Sequence, residues 1–344
     1  MSQENRSIGF NGLIDLASSS LGGQALATSD DFFASAAGML APSPAVFIPG
    51  KYTEQGKWMD GWESRRKRGP GHDYCLVRLG IPGEVLALDI DTSHFNGNQP
   101  AFASVEGATL PDALSTEEAL RQPFQELLAQ VPLLPGSQNL FVTKALGVVS
   151  HLRLNIFPDG GVARFRAYGK VAPSWRAPVL DDATRAHVPA GSFDLAALEN
   201  GALALACSDA HFGNMNGLLL PGRSVNMGSG WETRRRRGPG HDWIVIQLAA
   251  RGIARVVEVD TNHFKGNFPD RCAIDTIDAA GARPSDLVGS EAWRPLLPET
   301  RLAADTRHFY AAELSSVAPA THLRMRIFPD GGVSRLRAWG DKSD

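Results

Sequence analysis

Residues 61–73 of this chain concentrate groups able to grip an anion and move a proton. Trp62-Glu63-Ser64-Arg65-Arg66-Lys67-Arg68 runs into Gly69-Pro70-Gly71-His72-Asp73, and residues 230–242 repeat the stretch with only Ser/Thr and Lys/Arg exchanges. Four consecutive cations repel one another, so they persist either because each is solvated or because an anion sits among them. Arginine is the side chain that holds a planar carboxylate through two parallel hydrogen bonds. Arg65, Arg66 and Arg68, with their counterparts Arg234, Arg235 and Arg237 and the neighbouring Glu63 and Glu232, are therefore candidate binders of a small carboxylate or ureido compound. His72-Asp73 and His241-Asp242 suit proton transfer if the carboxylate fixes the imidazole, although adjacent strand residues point to opposite faces. The plainer reading is a histidine bonded to the turn and an aspartate that caps it.

A second repeated block supplies further titratable groups. Asp91-Thr92-Ser93-His94 and Asp260-Thr261-Asn262-His263 each follow a strand and place an oxygen and an imidazole at a spacing able to hold a divalent ion such as manganese. The pattern is short, and an Asx-turn with a structural histidine is preferred, so no metal cofactor is expected. There is no H-E-x-x-H, P-loop, G-x-S-x-G or dinucleotide fingerprint.

These groups sit on elements that the chain also contains twice. Trp62 and Asp91 recur 169 residues later as Trp231 and Asp260, and residues 151–162 recur 171 residues later as 322–333. Residues 28–33 answer 207–212 at an offset of 179, which leaves about ten extra residues in the first copy, within 41–56. The two mouths are therefore expected to differ in shape. Two similar domains follow, 1–175 and 176–344, joined by a linker within 171–189. In each copy short apolar runs bounded by Gly or Pro predict separate strands at 74–79 and 84–90, and at 243–248 and 255–259. Residues 151–162 and 322–333 predict hairpins about Pro-Asp-Gly-Gly, with Leu152, Leu154 and Ile156 inward. Their other face would carry His151, Arg153, Asn155, Arg164 and Arg166, and in the second copy His322, Arg324, Arg326, Arg335 and Arg337. One helix is predicted over 116–130 from its capping box. The resulting fold class is all-β, two tandem jelly-roll β-sandwiches from an internal duplication.

Composition bounds the alternatives. The 344 residues carry a net charge of −3, which gives no basic field for nucleic acid. Three scattered cysteines form neither a disulfide framework nor a zinc knuckle, and a reducing, cytosolic setting fits them. No apolar run is long enough to span a membrane, and Ser2–Arg6 lacks the basic start of a secretory leader.

The doubled G-W-E-[ST]-R-R-x-R-G-P-G-H-D, the D-T-x-H-F-x-G-N block and the F-P-D-G-G turns together resemble the allantoicase (allantoate amidinohydrolase) family, over about 29–339 of this sequence. The resemblance implies hydrolysis of allantoate to ureidoglycolate and urea in purine degradation, a fold of galactose-binding-domain type, and a homo-oligomer, often a hexamer. For that substrate the loop arginines would take the carboxylate. His72 or His241, and His94 or His263, would transfer protons, with Asp91 or Asp260 orienting a water or a histidine. Two readings from other classes compete. One is a carbohydrate-binding module without catalysis, in which Trp62, Trp231 and Phe95 stack on a sugar ring. The other is an interaction scaffold whose Arg loops pair with acidic patches.

Overall fold

The computed structural model describes residues 12–176, 178–315 and 318–343. The stretch read above for a leader, Ser2–Arg6, lies outside them. The chain divides into two compact units, Met1–Pro173 and Ser174–Asp344, each an antiparallel β-sandwich of jelly-roll type. No helix of the described residues is long and apolar enough to cross a membrane.

One long strand organises each unit. Asp73–Asp91 runs through 19 residues where two separate strands were expected. Its first half pairs with Gln24–Thr28 and Val148–Phe157, and its second half with Arg164–Val171 and Leu140–Val142, so the one strand takes part in both layers. Phe102–Ala108 and Gln125–Pro132 extend the first layer, and Ile14–Asp15 edges the second. The glycines at its middle allow a close crossing and do not end the strand. A Cβ on Gly80 would lie 2.4 Å from the Leu21 carbonyl oxygen, and one on Gly83 would lie 2.3 Å from that of Lys170. Asp242–Asp260 repeats this design between Ala320–Phe328 and Arg335–Lys342.

The predicted hairpins are replaced by crossovers. Val148–Phe157 pairs with the first half of the long strand and Arg164–Val171 with the second, so the Pro-Asp-Gly-Gly turn carries the chain between layers. Within it Gly161–Val162 pairs with Trp62–Glu63, which draws the turn away from a tight return. The face expected to look outward is covered as well: His151, Asn155, Arg164, His322, Arg335 and Arg337 are all buried. Alternation located the apolar face correctly, but loops cap the polar face. The helix spans only Thr116–Arg121, with the capping box present. Gln125–Pro132 is a strand that adds to Phe102–Ala108, where tertiary pairing overrides the helical spacing of Leu127 and Leu128.

Candidate active site

The three repeated blocks interlock at one end of each unit. In the second unit Trp231–Glu232 pairs with Gly332–Val333, the Gly332 N–H donates to the Asn267 carbonyl, and Asn267 Nδ2 donates to Glu232 Oε1 at 2.5 Å. Phe264 lies so close to Gly332 that a Cβ there would meet its ring at 1.9 Å. The first unit repeats the contacts with Asn98 Nδ2 and Glu63 Oε1 at 2.7 Å and Phe95 against Gly161. Burial raises the Glu63 carboxyl above its usual range, opposed by that Asn98 bond. The glycines of F-P-D-G-G are thus the seats of the D-T-x-H-F-x-G-N block.

The Arg loops split into structural and free cations. Arg65 holds Asp30 through its backbone N–H and its guanidinium, and Lys67 Nζ lies 2.8 Å from Asp73. In the second copy Arg234 meets Asp209 and Arg236 meets Asp242. Arg66, Arg68, Arg235 and Arg237 are exposed and have no ion-pair partner among the described residues. Ser208, Asp209, residues 234–238 and Asp242 line an open depression of about 380 Å³. Asp73 Oδ1 takes Ser29 Oγ as well as Lys67, so it does not orient His72, whose ring lies 4.6 Å from that of Phe157. His241 packs likewise on Phe328 at 4.9 Å, and burial, then Arg326, lowers its pKa. Trp62, Trp231 and Phe95 are fully buried, so none can stack on a sugar.

The Asp-x-x-His blocks form Asx-turns. Asp91 Oδ1 accepts from the Ser93 N–H at 2.7 Å, and Asp260 Oδ1 from that of Asn262 at 2.9 Å. His94 and His263 hold positive φ values of 71° and 70°, a conformation uncommon outside glycine. His263 Nε2 lies 3.0 Å from the Ser224 carbonyl oxygen and His94 Nε2 lies 3.3 Å from that of Ala45. Among the described residues no group of three or more His, Cys, Asp or Glu is arranged to hold a metal ion.

A cavity of about 410 Å³ opens in the second unit, and Asp260 is the one residue of the predicted set that lines it. With it stand Asp194, Glu199, Arg223, Glu258, Arg307, Arg335 and Arg337, none of which the motif reading selected as site residues. The available signal was Arg335 and Arg337, two residues apart after the F-P-D-G-G turn. Arginines alternating on a strand whose other face is core imply a covered polar layer. Arg223 reaches Asp260 at 3.2 Å, and Glu258 is held by Arg307 at 2.7 Å and by Trp339 Nε1 at 3.1 Å. Burial pushes the Asp194 carboxyl up to about 6, opposed by Arg337. Burial, then the neighbouring Arg337, pulls the Arg335 guanidinium down to about 10. Arg335 Nε and Nη1 bond carbonyls of Gly222, Gly217, Ser229 and Ser334, while Nη2 has no partner among the described residues. Glu199 Oε2 is also buried without a hydrogen-bond partner. The cavity therefore offers an open donor pair at Arg335 Nη2, suited to a carboxylate.

Comparison with known proteins matches the family model described as the allantoicase repeat to residues 14–172 and again to 193–343. The chain is 49% identical over 328 residues to "Probable allantoicase 1" of Burkholderia mallei, covering 95% of this chain and 94% of the relative. It is 43% identical over 341 residues to "Probable allantoicase" of Photobacterium profundum, covering 98% and 99%. Among solved structures, the allantoicase of Saccharomyces cerevisiae aligns with a TM-score of 0.80 at 33% identity, over 97% of this chain and 95% of that one.

Proposed function

The chain belongs to the allantoicase family, and from that premise we propose that it hydrolyses allantoate to ureidoglycolate and urea in the cavity of its second repeat. What supports the reaction is the match of both repeats to allantoicases along nearly the whole chain. What supports the place is the open Nη2 of Arg335 in one cavity with Asp260.

Allantoate carries a carboxylate and two ureido arms on one carbon. In the proposed reaction Arg335 Nη2 donates to the carboxylate. Asp260, oriented by Arg223, carries the proton. It passes the proton to the nitrogen of one arm as that arm's bond to the central carbon breaks. The bonding pair leaves with urea, while the lone pair of the remaining arm's nitrogen forms a C=N bond to the carbon. Water then adds to that carbon and returns its proton to Asp260, which restores the starting state and gives ureidoglycolate. His263 acts by holding the Ser224 carbonyl next to Arg223, whereas His94 contacts the Ala45 carbonyl, which follows Pro44.

A second reading rests on the unpaired guanidinium groups of Arg235 and Arg237 in the open depression, with Arg66 and Arg68 as their counterparts. There the loop arginines would take the carboxylate, with His241 as the proton donor. Urea release measured across a range of allantoate concentrations separates the two. If the cavity is the site, Arg335→Lys raises KM at least tenfold while Arg235→Ala/Arg237→Ala leaves it within about twofold; the opposite pattern places the substrate on the loop. We further propose a cytosolic homo-oligomer, read by light scattering on the eluted protein.

A further inference from the structure

The two repeats differ at the group that meets the substrate carboxylate in the proposed reaction. Arg164 of the first repeat corresponds to Arg335, follows the same turn, and is held in the same way: Nε on the Ser43 carbonyl and Nη1 on those of Gly38, Asp60 and Ala163. Its Nη2, however, is occupied. It lies 2.6 Å from Asp60 Oδ2 and 3.1 Å from the Pro44 carbonyl, and Asp60 Oδ2 is fixed in turn by the Val46 N–H at 2.9 Å. Val46 belongs to the residues that the first repeat has in excess before its tryptophan. The second repeat has Ser229 where the first has Asp60, and Ser229 Oγ turns to Ser224 Oγ and the Asn226 carbonyl. It has Arg223 where the first has Pro44, and Glu199 where the first has Ser20, whose hydroxyl bonds Ser18. The open Nη2 of Arg335 therefore lacks an open counterpart in the first repeat.

We infer that the Asp60 carboxylate is a built-in substitute for the ligand anion, so that the chain carries one ureido-carboxylate site, in the second repeat, and the first repeat is structural at this position. A buried guanidinium needs a counter-charge. The first repeat provides it from Asp60, which the inserted residues fix through the Val46 N–H, and the second leaves the place open to a ligand. This inference rests on the cavity reading above.

The test is calorimetric titration of the full chain with N-carbamoylglycine, which has the carboxylate and one ureido arm but no second arm to expel. Wild type is expected to bind one equivalent per chain. Ser229→Asp, which supplies the second repeat with the first repeat's carboxylate, is expected to weaken binding at least tenfold with its circular dichroism unchanged. Asp60→Ser is expected to retain the second-repeat equivalent. Two wild-type equivalents, no detectable binding, Ser229→Asp binding within twofold of wild type, or loss of binding in Asp60→Ser would each overturn the inference. The wild-type stoichiometry decides even if Ser229→Asp fails to fold. A chain that releases urea yet binds two equivalents refutes this inference and leaves the activity standing, whereas one equivalent without urea release does the reverse.

Discussion

Asp89→Asn is expected to stabilise the protein, and to do so more strongly as pH rises. Asp89 is buried, with Oδ2 on Gln138 Nε2 at 3.1 Å and Oδ1 without a hydrogen-bond partner. Burial, then the nearby Asp91 carboxylate, pushes its pKa up to about 7, against the opposing pull of Arg166 and of its bonds to Gln138 and Asn139. The second repeat shows what is missing. Its counterpart Glu258 has Arg307 and Trp339 as partners, where the first repeat has Gln138 and Tyr168. An acid whose folded pKa is raised costs nothing below its unfolded pKa, near 3.8. The cost grows as pH climbs from there through the folded value, and is constant above it. At 1.36 kcal/mol per pH unit the cost is about 2 kcal/mol at pH 5 and about 4 kcal/mol at pH 8. The neutral amide escapes this cost, so its advantage over wild type should grow by roughly 2 to 3 kcal/mol between those pH values. For a domain of this size that is a difference in Tm gain of roughly 5 to 10 °C. Thermal denaturation of both proteins at pH 5 and pH 8 measures it, and an equal Tm difference at the two pH values refutes the reasoning.

Further outcomes follow from the same contacts. Dialysis against EDTA is expected to leave urea release within about twofold of the untreated rate, because Asp260 Oδ1 and His263 Nε2 are already engaged; loss of activity restored by Mn²⁺ would contradict this. His94→Ala and His263→Ala are expected to keep saturated rates within about threefold and to lower Tm by a few degrees, each losing one hydrogen bond of about 1 kcal/mol. A hundredfold fall in rate would make the histidine the acid.

The duplication, the strand-rich architecture and the buried faces at Leu152, Leu154 and Ile156 were legible because they rest on repeated residue types and period-two spacing. The crossovers were not. Leu76 and Leu88 lie on one continuous strand, and the glycines between them signal a close crossing of chains that residue types do not distinguish from a turn. Among the residues lining the second-repeat cavity, Asp260 was selected because it starts a repeated block. Arg335 and Arg337 were visible but assigned to solvent, because burial of a polar face depends on which loops cover it. Glu199 and Arg307 answer Ser20 and Gln138 in the first copy, so the duplication that exposed the motifs concealed them. The Arg loop drew attention by its charge, yet Arg65 and Arg234 serve Asp30 and Asp209, aspartates more than twenty residues away in sequence.

Urea release from allantoate is proposed for the second repeat. A urease-coupled assay of the purified wild type beside Asp260→Asn tests it most directly. Wild type is expected to yield one urea per allantoate, and Asp260→Asn is expected to lose at least a hundredfold in rate at saturating allantoate while keeping its KM within a few fold and its fold intact. No urea from wild type, or an Asp260→Asn rate within threefold of it, would contradict the account.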